Sequence, residues 1–290
     1  MAASQVIADA MGSELGVSIS VVSTTGANGA KAFQTALQKP ADGYAIIDGY
    51  VAPLVVEAMQ GHVNWTYKDF IPLWSATSNS FAIAVRKDES RFTDFPSFIA
   101  YAKAHPGELR YSPGVIGTLP HMVVARVLQT SGVVEQPVPY PQPDDAVKDL
   151  RGGVLDFVVL NPGVYKTNKD DIKVLAVMSE LDRSSEVYGG APKVKDFGID
   201  LGMKGLAPMG WNWWLVRKET PPDVVAKLRD AMGKALAKDD VQKRLIDMGY
   251  VPLGYSPDQY DDILAPVATD LQHGIDAIAW EKDQLAKLGK

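Results

Sequence analysis

The sequence predicts an α/β protein of two lobes, a clamshell in which each lobe is a mostly parallel sheet flanked by helices, with the first strand missing. Three observations predict it. Segments of strand and helix character alternate along the whole chain, the pattern of strands joined by crossover helices. The 290 residues suffice for two domains of ordinary size. Two long strand-like segments, near residues 85–95 and 213–218, offer places for the chain to cross between lobes and return. On that basis residues 1–91 and 215–290 form one lobe and residues 92–214 the other.

The elements follow in order. MAASQVIADAMGSELG places Val6, Ile7, Ala10, Met11 and Leu15 on one helical face. A helix starting at residue 2 leaves no room for a cap or an incoming strand, so we expect the chain to lack its true beginning. VSISVVS (17–23) reads as a strand and AKAFQTALQK (30–39) as a helix stopped by Pro40. YAIID (44–48) is a strand, APLVVEAMQ (52–60) a helix, and residues 70–87 two strands parted at Ser78 and Asn79. Pro96 opens a helix that stops at Pro106-Gly107. LRYS (109–112) is a strand, followed by a loop with two glycines and an apolar helix to about Gln129. Strands are expected at 135–139, 156–161 and 172–178, with the helix DDAVKDLRGG after the first. Residues 180–206 read as irregular, and APMGWNWWLVR (207–217) as a long strand. Pro221-Pro222 opens one helix, Asp239 starts a second, and an amphipathic stretch broken at Pro266 ends the chain.

A net charge of −6 with no compensating basic block argues against nucleic acid or an anionic membrane surface as partner. No run of about 18 apolar residues is present to insert into a membrane. The absence of cysteine removes disulfides, thiolate catalysis and cysteine-bound metal. Any anion bound here must be attracted by local dipoles, not by the overall field.

Those dipoles are available at strand-to-helix loops. TTGANGA (24–30), DGYVAP (48–53), SPGVIGT (112–118), YPQPDD (140–145) and NPG (161–163) each precede a helix. A helix start leaves backbone N–H groups unpaired and carries about half a positive charge, which suits a carboxylate without any lysine. Glycine allows close approach. The candidate ligand contacts are Thr25, Asn28, Gly49, Tyr50, Ser112, Gly114, Gly117, Thr118, Tyr140, Gln142 and Asn161. Asn161 before Pro162 equally fits a helix cap. Among Trp211, Trp213 and Trp214, two suit core packing and one could cover a ligand's carbon chain.

Catalytic signals are weak. His62, His105, His121 and His273 form no metal-binding spacing, and no GxSxG or GxxxxGK[ST] motif occurs. Neither metal nor cofactor is expected. An enzyme acting on a carboxylated substrate would have only Asp48 and His121 as candidate bases. Asp48 equally suits a cap, and His121 on a first helical turn suits packing or capping. Asp144 and Asp145 favour the dipole of their own helix.

The motifs together resemble the solute-binding proteins of tripartite tricarboxylate transporters, the Bug-type periplasmic receptors. LGVSISVVSTTGANGA is similar to that family's strand and glycine-rich loop, PADGYAIIDG to its PDGYTLL segment, and YKDFIPLWSAT to its D-F-x-P segment. LRYSPGVIGTLPHM resembles its N-Y-G-S-x-G-x-G-S-x-x-H-L motif, which places Ser112, Gly114, Gly117, Thr118 and His121 at motif positions. VPYPQPDDAVKDLRGGVLDFVV and MGWNWWLVRKETPPDVVAKL resemble two further segments, so the likeness runs in order over nearly the whole chain. It departs at Pro141 and Gln142, where the family has lysine and glycine, and in STTGANG, where the family has NRPGAGG. The resemblance implies the Venus-flytrap architecture of periplasmic binding proteins. It also implies a periplasmic, monomeric receptor that captures a small carboxylate between its lobes and delivers it to integral membrane permease subunits. A receptor feeding a sensor kinase is the other role such a protein could serve.

Overall fold

The computed structural model describes residues 2–290. Its strands form where β-branched and aromatic residues cluster: β1 (Ile47–Tyr50), β2 (Phe70–Ser78), β3 (Ala82–Arg86), β4 (Arg110–Ser112), β5 (Gln136–Pro137), β6 (Phe157–Leu160), β7 (Ile172–Val177), β8 (Asn212–Arg217) and β9 (Val251–Tyr255). The chain divides into two units. One comprises the residues up to Ser78 with Gly210–Ala268, and the other Asn79–Met209 with Thr269–Lys290. These boundaries differ from the expected 92–214 and 215–290. β3 is the fourth of five strands in the second unit's sheet, and the final helix is tied by its side chains to that same unit.

The first unit holds the sheet β1-β8-β2-β9, in which every pairing is antiparallel. The second holds β5-β4-β6-β3-β7, parallel at β4–β5 and β4–β6 and antiparallel on both sides of β3. The α/β class holds, but the expectation of mostly parallel sheets is corrected. A helix between two strands implies a parallel pair only when those strands are neighbours. β1 and β2 do run the same way, yet β8 lies between them and reverses the ladder.

VSISVVS (17–23) is a second correction: it carries no ladder hydrogen bonds. Its alternation is real over residues 18–22, since Ile19 and Val21 pack on the first unit's core while Ser18, Ser20 and Val22 face solvent. Among the described residues no strand pairs with it. β9 was not anticipated, because VPLGY contains a proline and a glycine. It pairs with β2 as an edge strand, where a missing N–H is tolerated.

Helix Ala2–Leu15 buries Ala3, Val6, Ile7 and Met11, the spacing of one helical face. It shares a core with helix Pro222–Leu236, which contributes Val225, Leu228, Met232 and Ala235. Pro72 brings a register shift into β2, and the irregular stretch is held by two bonds to that second helix. Arg229 Nε donates to the Pro72 carbonyl (2.9 Å), and Trp74 Nε1 to the Arg229 carbonyl (2.9 Å). Trp211, Trp213 and Trp214 are all buried, so the expectation that one lies open to a ligand is corrected. β8 is apolar on both faces because each is covered: Trp213 packs on Tyr260, while Trp214 and Val216 join the core shared with helices Ala2–Leu15 and Pro222–Leu236.

In the second unit, β3 is buried on both faces. Phe92, Phe95, Phe98, Tyr111 and Phe157 build an aromatic cluster beside it, with Tyr111 and Phe157 stacked at 4.6 Å. Helix Leu119–Ser131 ends at Gly132, whose left-handed backbone closes the last turn. The terminal helix Val267–Lys287 approaches it closely. A Cβ at Gly274 would sit 2.5 Å from Met122 Cβ, so only glycine fits there.

Glu135 introduces a pH dependence into this unit. It is buried, and its Oε2 accepts the Leu109 N–H (2.8 Å). Burial pushes its carboxyl up from the usual 4.5 to about 8. The folded chain therefore keeps a proton that the unfolded chain releases, and stability is lost as pH rises through that window. We expect this group to lower stability by on the order of 2–4 kcal/mol between about pH 5 and pH 8. Glu135→Gln keeps an acceptor for Leu109 and should flatten the fall in thermal scans across that range. An equally steep fall in the variant would contradict the assignment.

Candidate functional site

The second unit's loop between β4 and helix Leu119–Ser131 is held mainly by bonds to itself. Ser112 is buried, and its Oγ accepts the Gly114 N–H (3.1 Å). The Gly114 carbonyl accepts the Tyr140 N–H (2.9 Å), and the Tyr140 hydroxyl donates to Asp149. That bond raises the Tyr140 phenol's pKa. Gly114 and Gly117 have φ of 86° and 81° with open space where a Cβ would stand. They are glycines because of this left-handed backbone, not because of close packing. Thr118 takes the N-cap position, but its hydroxyl donates to the Val115 carbonyl (2.7 Å) and caps nothing.

The Gly117 N–H donates to His121 Nδ1 (3.0 Å). A donor at Nδ1 requires that nitrogen to be unprotonated, so the ring proton sits on Nε2. Nε2 in turn lies 3.1 Å from Glu281 Oε2, and the Tyr111 hydroxyl donates to Glu281 Oε1 (2.7 Å). All three side chains are buried. The glycine amides expected to face a ligand are thus already engaged. Among the described residues of this loop and the helix's first turn, the amides without an acceptor are those of Val115, Ile116, Leu119 and His121, and the side chains of Val115 and Ile116 are exposed. Val115 and Ile116 lie three or four residues before a helix with no side-chain cap.

The first unit's loop is strained. Gly26, Ala27, Asn28 and Gly29 all have positive φ, at 123°, 45°, 47° and 92°. Ala27 pays roughly 1 kcal/mol for this, and asparagine tolerates it better. Asn28 is held on two sides. Its Nδ2 donates to Glu57 Oε1 (2.9 Å), and its carbonyl accepts the Tyr50 hydroxyl (3.2 Å). Glu57 is buried at the end of a π-helical turn, Ala52–Val56, and His62 Nδ1 lies 2.9 Å from its other oxygen. The Asn28 bond holds the Glu57 carboxyl below its ordinary range despite burial. Gly29 leaves room for the Tyr50 hydroxyl, which would lie 2.8 Å from a Cβ there. Gly49 is buried between Phe33 and Leu215, which would meet its Cβ at 2.9 and 3.0 Å, so its role is packing within β1.

Ser112, Gly114, Gly117, Thr118 and Tyr140 therefore belong to one bonded loop system, and Asn28 and Tyr50 to another. Thr25 and Gln142 are exposed, and no side-chain bond joins them to either system among the described residues. Asn161 acts as a cap: its Oδ1 accepts the Val164 N–H (3.0 Å) and Pro162 occupies the first helical position. Of the two candidate bases, Asp48 accepts from Ser4 (2.7 Å) and Asn212 (2.9 Å), and His121 is engaged at both nitrogens. Sequence reasoning missed Glu57, His62, Tyr111 and Glu281. Glu281 follows its partner Tyr111 by 170 residues, and no local pattern signals such a pair.

The chain thus folds as two α/β units, each built from separated chain segments and each carrying a glycine turn before a helix. The family profile described as "Tripartite tricarboxylate transporter family receptor" (TctC) matches residues 3–276. The chain belongs to that family. It is 25% identical over 266 residues to Protein BugT of Bordetella pertussis, covering 90% of this chain and 79% of BugT. It is also similar to the crystal structure of a TctC solute-binding protein from Polaromonas, with TM-score 0.80, 25% identity and coverage of 94% and 92%. The fold alone is shared with R. palustris Rpa4515 with adipate, at TM-score 0.72, 21% identity and coverage of 96% and 92%. These are binding proteins, not enzymes. No described helix is long and apolar enough to cross a membrane.

Proposed function

We propose that this receptor captures a small organic acid through the peptide amides and hydroxyls of its glycine loops, with no cationic side chain at the carboxylate. It works in the periplasm as a monomer and hands the acid to integral membrane permease subunits of a tripartite tricarboxylate-type transporter. The observation that carries the reading is the 112–118 loop. Its backbone is fixed by Ser112, Thr118 and His121, while the Val115 and Ile116 amides stay unpaired before an uncapped helix. A carboxylate satisfies both amides and gains from the helix dipole.

The first unit's loop, with Thr25 and the left-handed 26–29 turn before its helix, offers backbone donors of the same kind, and a dicarboxylate is the class of acid the panel below should favour. The adipate carried by a fold relative is such an acid. The reading rests on the chemistry of each unit's loop taken separately. Asn28 and Tyr50 support the first loop and Tyr140 the second, while Gly49 packs within β1, Asn161 caps its own helix and Gln142 stands in place of the family's glycine.

A thermal-shift panel of mono-, di- and tricarboxylates tests the proposal. At a free concentration of about 100 times Kd, a bound acid adds about 2.7 kcal/mol of stability. A saturable rise with one or more dicarboxylates is expected. No response to any acid in the panel contradicts the proposal.

A further inference from the structure

The hydrogen bonds behind the 112–118 loop run in one chain that ends on the last helix. The Gly117 N–H donates to His121 Nδ1, His121 Nε2–H to Glu281 Oε2, and the Tyr111 hydroxyl to Glu281 Oε1. Each member constrains the next. A peptide N–H only donates, so His121 must present a lone pair at Nδ1. The single ring proton then lies on Nε2 and needs an acceptor. Glu281 supplies one, and its other oxygen is occupied by a phenol that burial keeps protonated.

We propose that Glu281 is a positioning residue: it locks His121 in the Nε2–H tautomer, and that tautomer holds the loop in the form that presents the Val115 and Ile116 amides. The inference rests on the reading of this loop as the carboxylate site. With the other tautomer, or with a charged imidazolium, Nδ1 carries a proton and faces the Gly117 N–H donor to donor. The loop then loses its only side-chain anchor at Gly117. The terminal helix thus acts on the loop through one buried carboxylate and one ring, without touching ligand.

The prediction is read first on the unaltered protein. Nitrogen-15 spectra of the histidine rings should show His121 neutral with the proton on Nε2. A proton on Nδ1 overturns the proposal. Two variants then separate the links. His121→Asn places an amide oxygen where Nδ1 stood and should keep the Gly117 amide protected from solvent exchange. His121→Gln reaches instead toward Glu281 and should speed Gly117 exchange about tenfold, the factor one hydrogen bond supplies. Equal exchange in both variants overturns the proposal.

Glu281→Ala, made together with the milder Glu281→Gln in case the first does not fold, should mix the tautomers and weaken adipate binding about tenfold. A pure Nε2–H tautomer in whichever variant folds overturns it. If the unaltered protein shows the expected tautomer but binds no carboxylate, the ligand reading fails while the hydrogen-bond chain stands. The two failures are therefore told apart.

Discussion

Thr118→Trp should abolish the carboxylate-induced rise in thermal stability, a loss of about 2.7 kcal/mol at about 100 times Kd. The N-cap backbone at Thr118 is extended, with φ −83° and ψ 169°, a conformation that any residue adopts. Val115, Ile116 and Gly117 beside it are exposed, so an indole has room to lie over the loop without entering the core. Ligand-free stability should change only by the one bond lost to the Val115 carbonyl, about 1 kcal/mol. The indole instead covers the unpaired amides. Circular dichroism verifies the fold, and the thermal-shift panel reads the binding. A variant that responds to acids as the unaltered protein does would remove this loop from the site.

Trp213→Ala should destabilise the first unit by about 3–5 kcal/mol, the cost of emptying a buried aromatic site. Trp213 lies on β8, opposite Gly49 of β1 and Ser75 of β2. Its ring meets Tyr260 edge to face at 4.9 Å, and Tyr260 donates its hydroxyl to the Tyr67 carbonyl (2.9 Å). The cavity would therefore open between the sheet and the short helix Tyr260–Leu264. Trp213→Phe should cost much less. The indole Nε1 is buried without a partner, so phenylalanine removes that unpaid desolvation along with the ring atoms. Denaturant melts of the two variants compare the effects directly. A phenylalanine variant as unstable as the alanine variant would contradict this, because it would show that the indole N–H stabilises the fold.

The sequence reveals the class of fold because period-2 and period-3.6 patterns survive in most segments. The helices at Phe95–Ala104, Pro143–Arg151 and Pro222–Leu236 begin and end within a few residues of their expected places, each opened by a proline. What it hides is partnership. β1 and β2 look like neighbours, yet a strand from more than 130 residues later separates them. VSISVVS has the alternation of a strand without a partner, and β9 has a partner without the alternation. The same limit governs the site. Gly114, Gly117 and Thr118 mark the loop in the sequence, because left-handed turns and helix starts select such residues. Two of the donors left open there belong to Val115 and Ile116, whose side chains carry no signal. Glu57 and Glu281 are buried carboxylates that shape the two loops from behind, and only the folded chain brings them there.

The role of family membership is to fix the class of molecule, a transporter receptor. The mode of capture is a separate physical matter. For the proposed acid ligand of a chain with net charge −6, peptide amides at a helix start supply local positive dipole without a side-chain charge. The most direct measurement is an amide NMR titration of the protein with adipate. The account predicts saturable shifts at the loop amides, Val115, Ile116 and Thr118. Saturable shifts confined to other residues, or binding that tracks a lysine or arginine side chain while these amides stay still, would contradict it.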